Sequence, residues 1–192
     1  MARLKRSVTI DDVMSFCPCL RHGEVAVLFN GKKRMTLAEL KLVPVDALSY
    51  QSRAWLLLRE EFLPVKTLHL LACSFAERAL RRERKDGREP DKRSWDAICV
   101  KRRWVAGKAT DEELAAAGAA AWAAARAAAG AAARDADSAA AWAAAWAAAG
   151  AAAWDAAGAA ARAAAWGAAW GAAWDAENRW QYHKILRAML SH

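Results

Sequence analysis

Residues 114–178 read LAAAGAAAWAAARAAAGAAARDADSAAAWAAAWAAAGAAAWDAAGAAARAAAWGAAWGAAWDAEN, and this tract decides the fold class. Nearly every fourth residue differs from the alanine background and is most often Trp, Arg or Gly. Of the 60 residues between 115 and 174, 40 are Ala. Alanine has the highest helix propensity of any residue, so the tract predicts helix. We therefore predict an all-α protein, a helical bundle in which short N-terminal helices pack on two long Ala-rich C-terminal helices.

The period of four residues leaves the role of the tryptophans open. Four residues advance about 400° around an α-helix, which is roughly 40° more than a full turn. The residues at every fourth position therefore spiral around the helix and do not stay on one face. The tryptophans could bury a core against other helices, or they could form an aromatic stripe that contacts a partner. Five of those in the second half share an arc of roughly 160°: Trp142, Trp146, Trp166, Trp170 and Trp174.

Local signals divide the rest of the chain into helices. Thr36–Glu39 and Thr110–Glu113 have the capping-box pattern, in which Glu follows a hydroxyl residue by three positions. A break in the tract is predicted within residues 134–138, where Ser138 can cap a new helix. No segment shows the alternation of a strand, and Val25–Phe29 is the only ambiguous apolar run.

The sequence predicts two domains. Residues 1–66 form a short-helix region with Cys-Pro-Cys, and residues 67–192 form an Ala-rich helical bundle; one continuous domain is the alternative. The chain has no apolar run of membrane-spanning length and no secretory signal, so we expect a cytoplasmic protein without a membrane partner.

The positive charge is concentrated before the tract. The formal net charge is +8, and residues 1–110 contain 23 Lys and Arg against 13 Asp and Glu. Residues 78–103 are the densest basic stretch, which is either a solvated surface with local ion pairs or a contact for phosphate or an acidic protein. The predicted partner-binding residues are five cations of this stretch: Arg81, Arg82, Lys101, Arg102 and Arg103.

Side chains of the types that commonly act in catalysis or metal binding are spread along the sequence and form no recognised motif. Cys17, Cys19 and His22 are metal-ligand types, but Cys-x-Cys is not the usual zinc spacing, so we predict free thiols, no metal and no cofactor. His69 lies among apolar residues and is predicted to be a core residue rather than a base. The sequence contains no phosphate loop, metalloprotease helix motif, nucleophile elbow or Rossmann fingerprint. We therefore predict a protein that is not an enzyme.

Three segments carry a resemblance to a known family. They are LHLLACSFAERAL at 68–80, SWDAI at 94–98 and WVAGKATDEEL at 104–114, which leads into the Ala-rich helices. Together they resemble the Ala-rich immunity proteins of bacteria, a helical family with Ala/Trp/Arg repeats that also occurs in phage and mobile-element contexts. The resemblance covers roughly residues 68–175.

The resemblance implies a non-enzymatic helical binding protein of the immunity or inhibitor type, which acts on a macromolecular partner by occlusion. A protein partner is expected in preference to nucleic acid. The alternative is a nucleic-acid-associated protein, or a phage-encoded inhibitor of a nucleic-acid-guided defence complex of the anti-CRISPR kind. That alternative would use the basic surface.

Overall fold

The computed structural model describes residues 4–16, 21–132 and 172–191, and these residues are mainly helical. The elements are β1 (Ser7–Thr9), α1 (Ile10–Phe16), α2 (His22–Phe29), β2 (Arg34–Thr36), α3 (Leu37–Leu42), α4 (Tyr50–Leu57), α5 (Val65–Lys85), α6 (Lys92–Val105), α7 (Asp111–Ala132) and α8 (Ala172–Leu190). The prediction of an all-α protein is confirmed.

The finer architecture stays a prediction. Helix α7 is the first of the two predicted Ala-rich helices and covers 22 residues. The second one and the break predicted within residues 134–138 lie outside the described residues. None of the described helices is long and apolar enough to cross a membrane.

The chain packs as two units. Unit 1 contains Met1–Pro64 and Asn178–His192, and unit 2 contains Val65–Glu177. Helix α8 therefore begins in unit 2 and ends in unit 1. The sequence analysis divides the chain once, after residue 66, and places the C-terminal residues with the Ala-rich bundle.

Unit 1 contains a small sheet that the sequence analysis does not predict. Strands β1 and β2 pair antiparallel, with Val8 opposite Met35, and both of these side chains are buried. The expectation that no segment forms a strand is wrong for these two. Each strand is three residues long, too short for alternation to show, and its pairing depends on a segment distant in the chain. The ambiguous run Val25–Phe29 lies in α2.

A buried arginine fixes the end of α3 in unit 1. Arg53 on α4 is almost completely buried, and its guanidinium donates to the carbonyl oxygens of Leu48 at 2.8 Å, Leu40 at 3.2 Å and Pro44 at 3.0 Å. The last carbonyls of a helix have no partner within it. Arg53 therefore satisfies carbonyls at the C-terminal end of α3 and in the loop that follows.

Local signals set most helix ends as the sequence predicts. Both capping boxes form, since Thr36 accepts from the Glu39 amide at 3.2 Å and Thr110 accepts from the Glu113 amide at 3.1 Å. Helix α6 begins at Lys92, because Asp91 caps it and accepts from the Arg93 amide.

In unit 2, small residues of α6 and α7 pack against each other. Ala97 of α6 forms a buried cluster with Leu114 and Ala121 of α7, and Trp104 and Trp122 cover its edge. Trp122 thus contributes to a core. The arc of tryptophans from Trp142 to Trp170 lies outside the described residues, as does the side chain of Trp174.

Candidate functional site

Helices α5 and α6 carry the predicted binding residues, and the structure pairs most of them with carboxylates of the same unit. Arg81 Nη2 lies 2.6 Å from Glu77 Oε1, and Arg102 forms an ion pair with the other oxygen of Glu77. Arg103 Nη2 lies 3.3 Å from Glu113 Oε1. The arginines remain accessible, since 71% of the Arg81 side chain is exposed.

Arg82 shares a buried carboxylate with a neighbour on α5. Glu177, at the start of α8, has a side chain that is 1% exposed. Its Oε2 lies 2.8 Å from Arg78 Nε and 3.5 Å from Arg82 Nη1. Arg82 is therefore held against α8 and contributes less to the surface than Arg81.

The structure corrects the placement of Lys101. The sequence analysis counts it as a surface cation, but its side chain is completely buried. Lys101 lies on the face of α6 that also buries Ser94, Ala97 and Ile98, at helical spacings of three and four residues. The prediction that Lys101 contributes to an exposed basic surface is wrong.

The other arginines of the stretch also have acidic neighbours. Arg84 Nη2 lies 2.6 Å from Glu89, Arg88 Nε lies 2.6 Å from Glu83, and Arg93 Nη2 lies 2.6 Å from Asp91. The surface of α5, α6 and the loop between them thus alternates in charge, and we call it the α5–α6 face.

The Glu77 carboxylate is stabilised in its ionised form. Partial burial would raise its pKa, but the hydrogen bonds and charges of Arg102 and Arg81 outweigh burial and hold the pKa below its usual range. Glu77 therefore carries a full negative charge at neutral pH. The pair of guanidinium groups that it holds is fixed in position before any partner arrives.

Beneath the α5–α6 face, four side chains form a buried cluster. Lys101 Nζ lies 4.2 Å from the centre of the Trp104 ring, and the His69 ring meets the same indole edge-on at 5.4 Å. Burial raises the pKa of the Cys73 thiol to about 11, and the charges of Arg102 and Lys101 only partly oppose this. Thiols of this kind are unreactive near neutral pH.

The buried cluster is unsuited to acid–base chemistry. Burial lowers the pKa of His69, and the positive charge of Lys101 lowers it further. His69 is buried, as the sequence analysis predicts for a core residue. The imidazole is therefore neutral at pH 7 and packs against the Trp104 indole.

Metal ligands do not converge in the part of the chain that the structure describes. Among those residues, no group of three His, Cys, Asp or Glu side chains lies close enough to hold a metal ion. Cys17 and Cys19 lie outside the described residues, and His22 is exposed at the start of α2. The prediction of free thiols at Cys17 and Cys19 stays a prediction.

Comparisons of the chain with protein-family models, with characterised proteins and with solved structures gave no match. The resemblance to the Ala-rich immunity proteins therefore stays a prediction that rests on residues 68–114 and the tract.

Proposed function

We propose that the protein is a non-enzymatic binding protein of the immunity or inhibitor type, which acts by occluding a partner protein. The α5–α6 face is the proposed contact, through Arg81, Arg102 and Arg103, with Arg82 at its edge. The observation that carries this proposal is the pairing of these exposed arginines with carboxylates of the same unit.

Alternating charges favour a protein partner at this face. A nucleic acid presents one negative charge per phosphate, and Glu77, Glu89 and Asp91 would repel it wherever an arginine attracts it. A folded protein presents both signs of charge, so it can match both the guanidinium groups and the carboxylates. Fixed arginines also lose less side-chain freedom on binding, which lowers the entropic cost of association.

Affinity capture from the native host, with the full chain as bait, tests the proposal. We expect a protein to be retained after nuclease treatment and at moderate salt. The triple variant Arg81→Glu, Arg102→Glu and Arg103→Glu should lose it, because like-charge repulsion replaces attraction. Circular dichroism should show an intact fold, since each exposed ion pair contributes less than about 1 kcal/mol.

A matched control places the same charge change elsewhere in unit 2. Lys66 and Arg126 are exposed and are not part of the proposed contact. The double variant Lys66→Glu and Arg126→Glu should retain the partner. Loss of the partner on nuclease treatment, or equal loss in both variants, would contradict a specific protein contact at the α5–α6 face.

A further inference from the structure

The excess positive charge of the chain lies in unit 1. By sequence, unit 1 contains 13 Lys and Arg against 7 Asp and Glu, whereas unit 2 contains 16 against 14. Unit 2 as a whole is thus nearly balanced, although its residues 78–103 contain 11 Lys and Arg against 5 Asp and Glu. Unit 1 has the larger excess, and its cations that form no ion pair among the described residues are candidates for a surface that attracts a polyanion.

Two such cations, Arg179 and Arg187, lie on α8 with the imidazole of His183 between them. All three side chains are exposed and follow each other at intervals of four residues. Side chains four apart on a helix lie roughly 5–6 Å from one another at Cβ, so the three form one continuous row. The opposite face of α8 is buried in unit 1, through Tyr182, Ile185, Leu186 and Met189 among others.

Other residues of unit 1 extend this row. The His183 ring lies 6.2 Å from that of Tyr50 at the start of α4. Lys41, in the last turn of α3, is exposed and near enough to act on the imidazole. Burial first, and then the charges of Arg179, Arg187 and Lys41, lower the pKa of His183, as expected for an imidazole surrounded by cations.

The cations of the row lack carboxylate partners. None of Arg179, Arg187 and Lys41 takes part in an ion pair among the described residues. Asp175 precedes Arg179 by one turn of α8 and lies at the end of the row. This arrangement differs from the α5–α6 face, where every arginine of the predicted contact is paired with a carboxylate, Arg81 and Arg102 sharing Glu77.

We propose that Arg179, His183, Arg187 and Lys41 form a binding surface for the phosphodiester backbone of a nucleic acid. Charge complementarity carries the proposal, because a row of cations without acids matches a row of phosphates. The surface belongs to unit 1, so the proposal stands independently of the α5–α6 face.

The test is a fluorescence-anisotropy titration of the full chain with labelled oligonucleotides of about 20 nucleotides, long enough to cover the row. A single strand and a duplex of the same sequence separate the two sources of phosphodiester. We expect binding at low salt that weakens as salt rises. The double variant Arg179→Gln and Arg187→Gln should bind at least tenfold more weakly, with a salt slope smaller by about 2.

Two matched variants keep the result interpretable. Arg84→Gln with Arg93→Gln removes the same charge from paired, exposed arginines of unit 2 and should leave affinity nearly unchanged. Arg179→Lys with Arg187→Lys keeps the charge and should retain binding within about threefold, since phosphate contacts of this kind depend mainly on charge.

Three results would overturn the proposal. The first is no binding of either oligonucleotide by the folded wild-type chain at low salt. The second is an equal loss of affinity in the α8 variant and the unit 2 variant, which would indicate that binding depends only on the overall charge of the chain. The third is equally strong competition by polyglutamate at matched charge, which would indicate an acidic protein surface as the occupant.

Discussion

At the scale of single residues, Lys101 is the least expected feature of the fold. Among the described residues its Nζ is buried without a hydrogen-bond partner, and it lies 4.2 Å from the centre of the Trp104 ring. A cation–π contact contributes roughly 2 kcal/mol when desolvated, whereas burial of an ammonium group costs several kcal/mol. Desolvation therefore dominates, and it lowers the pKa of Lys101.

We expect Lys101→Met to stabilise the protein at neutral pH. Methionine fills a similar volume without a buried amine, so the free energy of unfolding should rise by about 1–2 kcal/mol at pH 7. The folded state binds a proton less tightly than the unfolded state, so wild-type stability rises with pH up to the ordinary lysine pKa of about 10.5. The difference in the free energy of unfolding between Lys101→Met and the wild type should therefore shrink as pH rises over that range.

Urea unfolding at pH 7 and pH 10 measures this difference. The control is Lys108→Met, which removes an exposed lysine and should change the free energy of unfolding by less than about 0.5 kcal/mol at either pH. A strong destabilisation of Lys101→Met at pH 7 would show that the ammonium group stabilises the core, contrary to this argument.

At the scale of elements, the sequence predicts the helices better than their long-range contacts. The capping boxes at Thr36 and Thr110 are visible because all their atoms come from four consecutive residues. Lys101 shares a helical face with Ser94 and Ile98, but which face of α6 is buried depends on the packing of α5 and α7. In contrast, the ring of Tyr182 lies 5.7 Å from that of Tyr50, a pairing between distant segments that no local pattern specifies.

The ion pairs of Glu177 join the second turn of α8 to α5 within unit 2. We expect Glu177→Gln to lower the free energy of unfolding by about 1–2 kcal/mol, because a buried charge-assisted hydrogen bond becomes a neutral one. The amides at the start of α8 should exchange faster with solvent. Hydrogen exchange read by mass spectrometry provides the local measurement, and urea unfolding provides the global one.

Glu89→Gln is the matched control for Glu177→Gln. Glu89 forms a comparable ion pair with Arg84, but both side chains are exposed. Its loss should change stability by less than about 0.5 kcal/mol, since water replaces the lost interaction. Equal effects of the two variants would mean that burial adds nothing to the Glu177 contact.

At the scale of the whole molecule, the distribution of charge separates what the sequence could predict from what it could not. The counts of basic and acidic residues are fixed by sequence, but their assignment to units depends on α8 joining unit 1 after residue 177. The spacing of Arg179, His183 and Arg187 was visible in the sequence. Which face of that helix is buried became known only with the fold, so the row could not be recognised as exposed.

The whole molecule should lose stability between pH 7 and pH 5. The pKa values of His69 and His183 are both lowered in the folded state, so the unfolded chain binds protons more tightly in this range. Stability is therefore fully present above the ordinary histidine pKa of about 6.5 and falls as pH drops below it. Carboxylates with lowered pKa values, such as Glu77 and Glu39, lose their contribution only at lower pH, near and below about 4.5.

His69 should account for most of this acid sensitivity, because it is buried against Trp104 whereas His183 is exposed and can gain water around its charged form. Thermal unfolding of the wild type, His69→Gln and His183→Gln at pH 7 and pH 5 separates the two. The loss of the ring contact in His69→Gln lowers stability equally at both pH values, so the slope between them isolates protonation. We expect His69→Gln to remove most of the slope and His183→Gln to remove little. A slope that is unchanged in His69→Gln and lost in His183→Gln would assign the acid sensitivity to His183 and contradict the argument from burial.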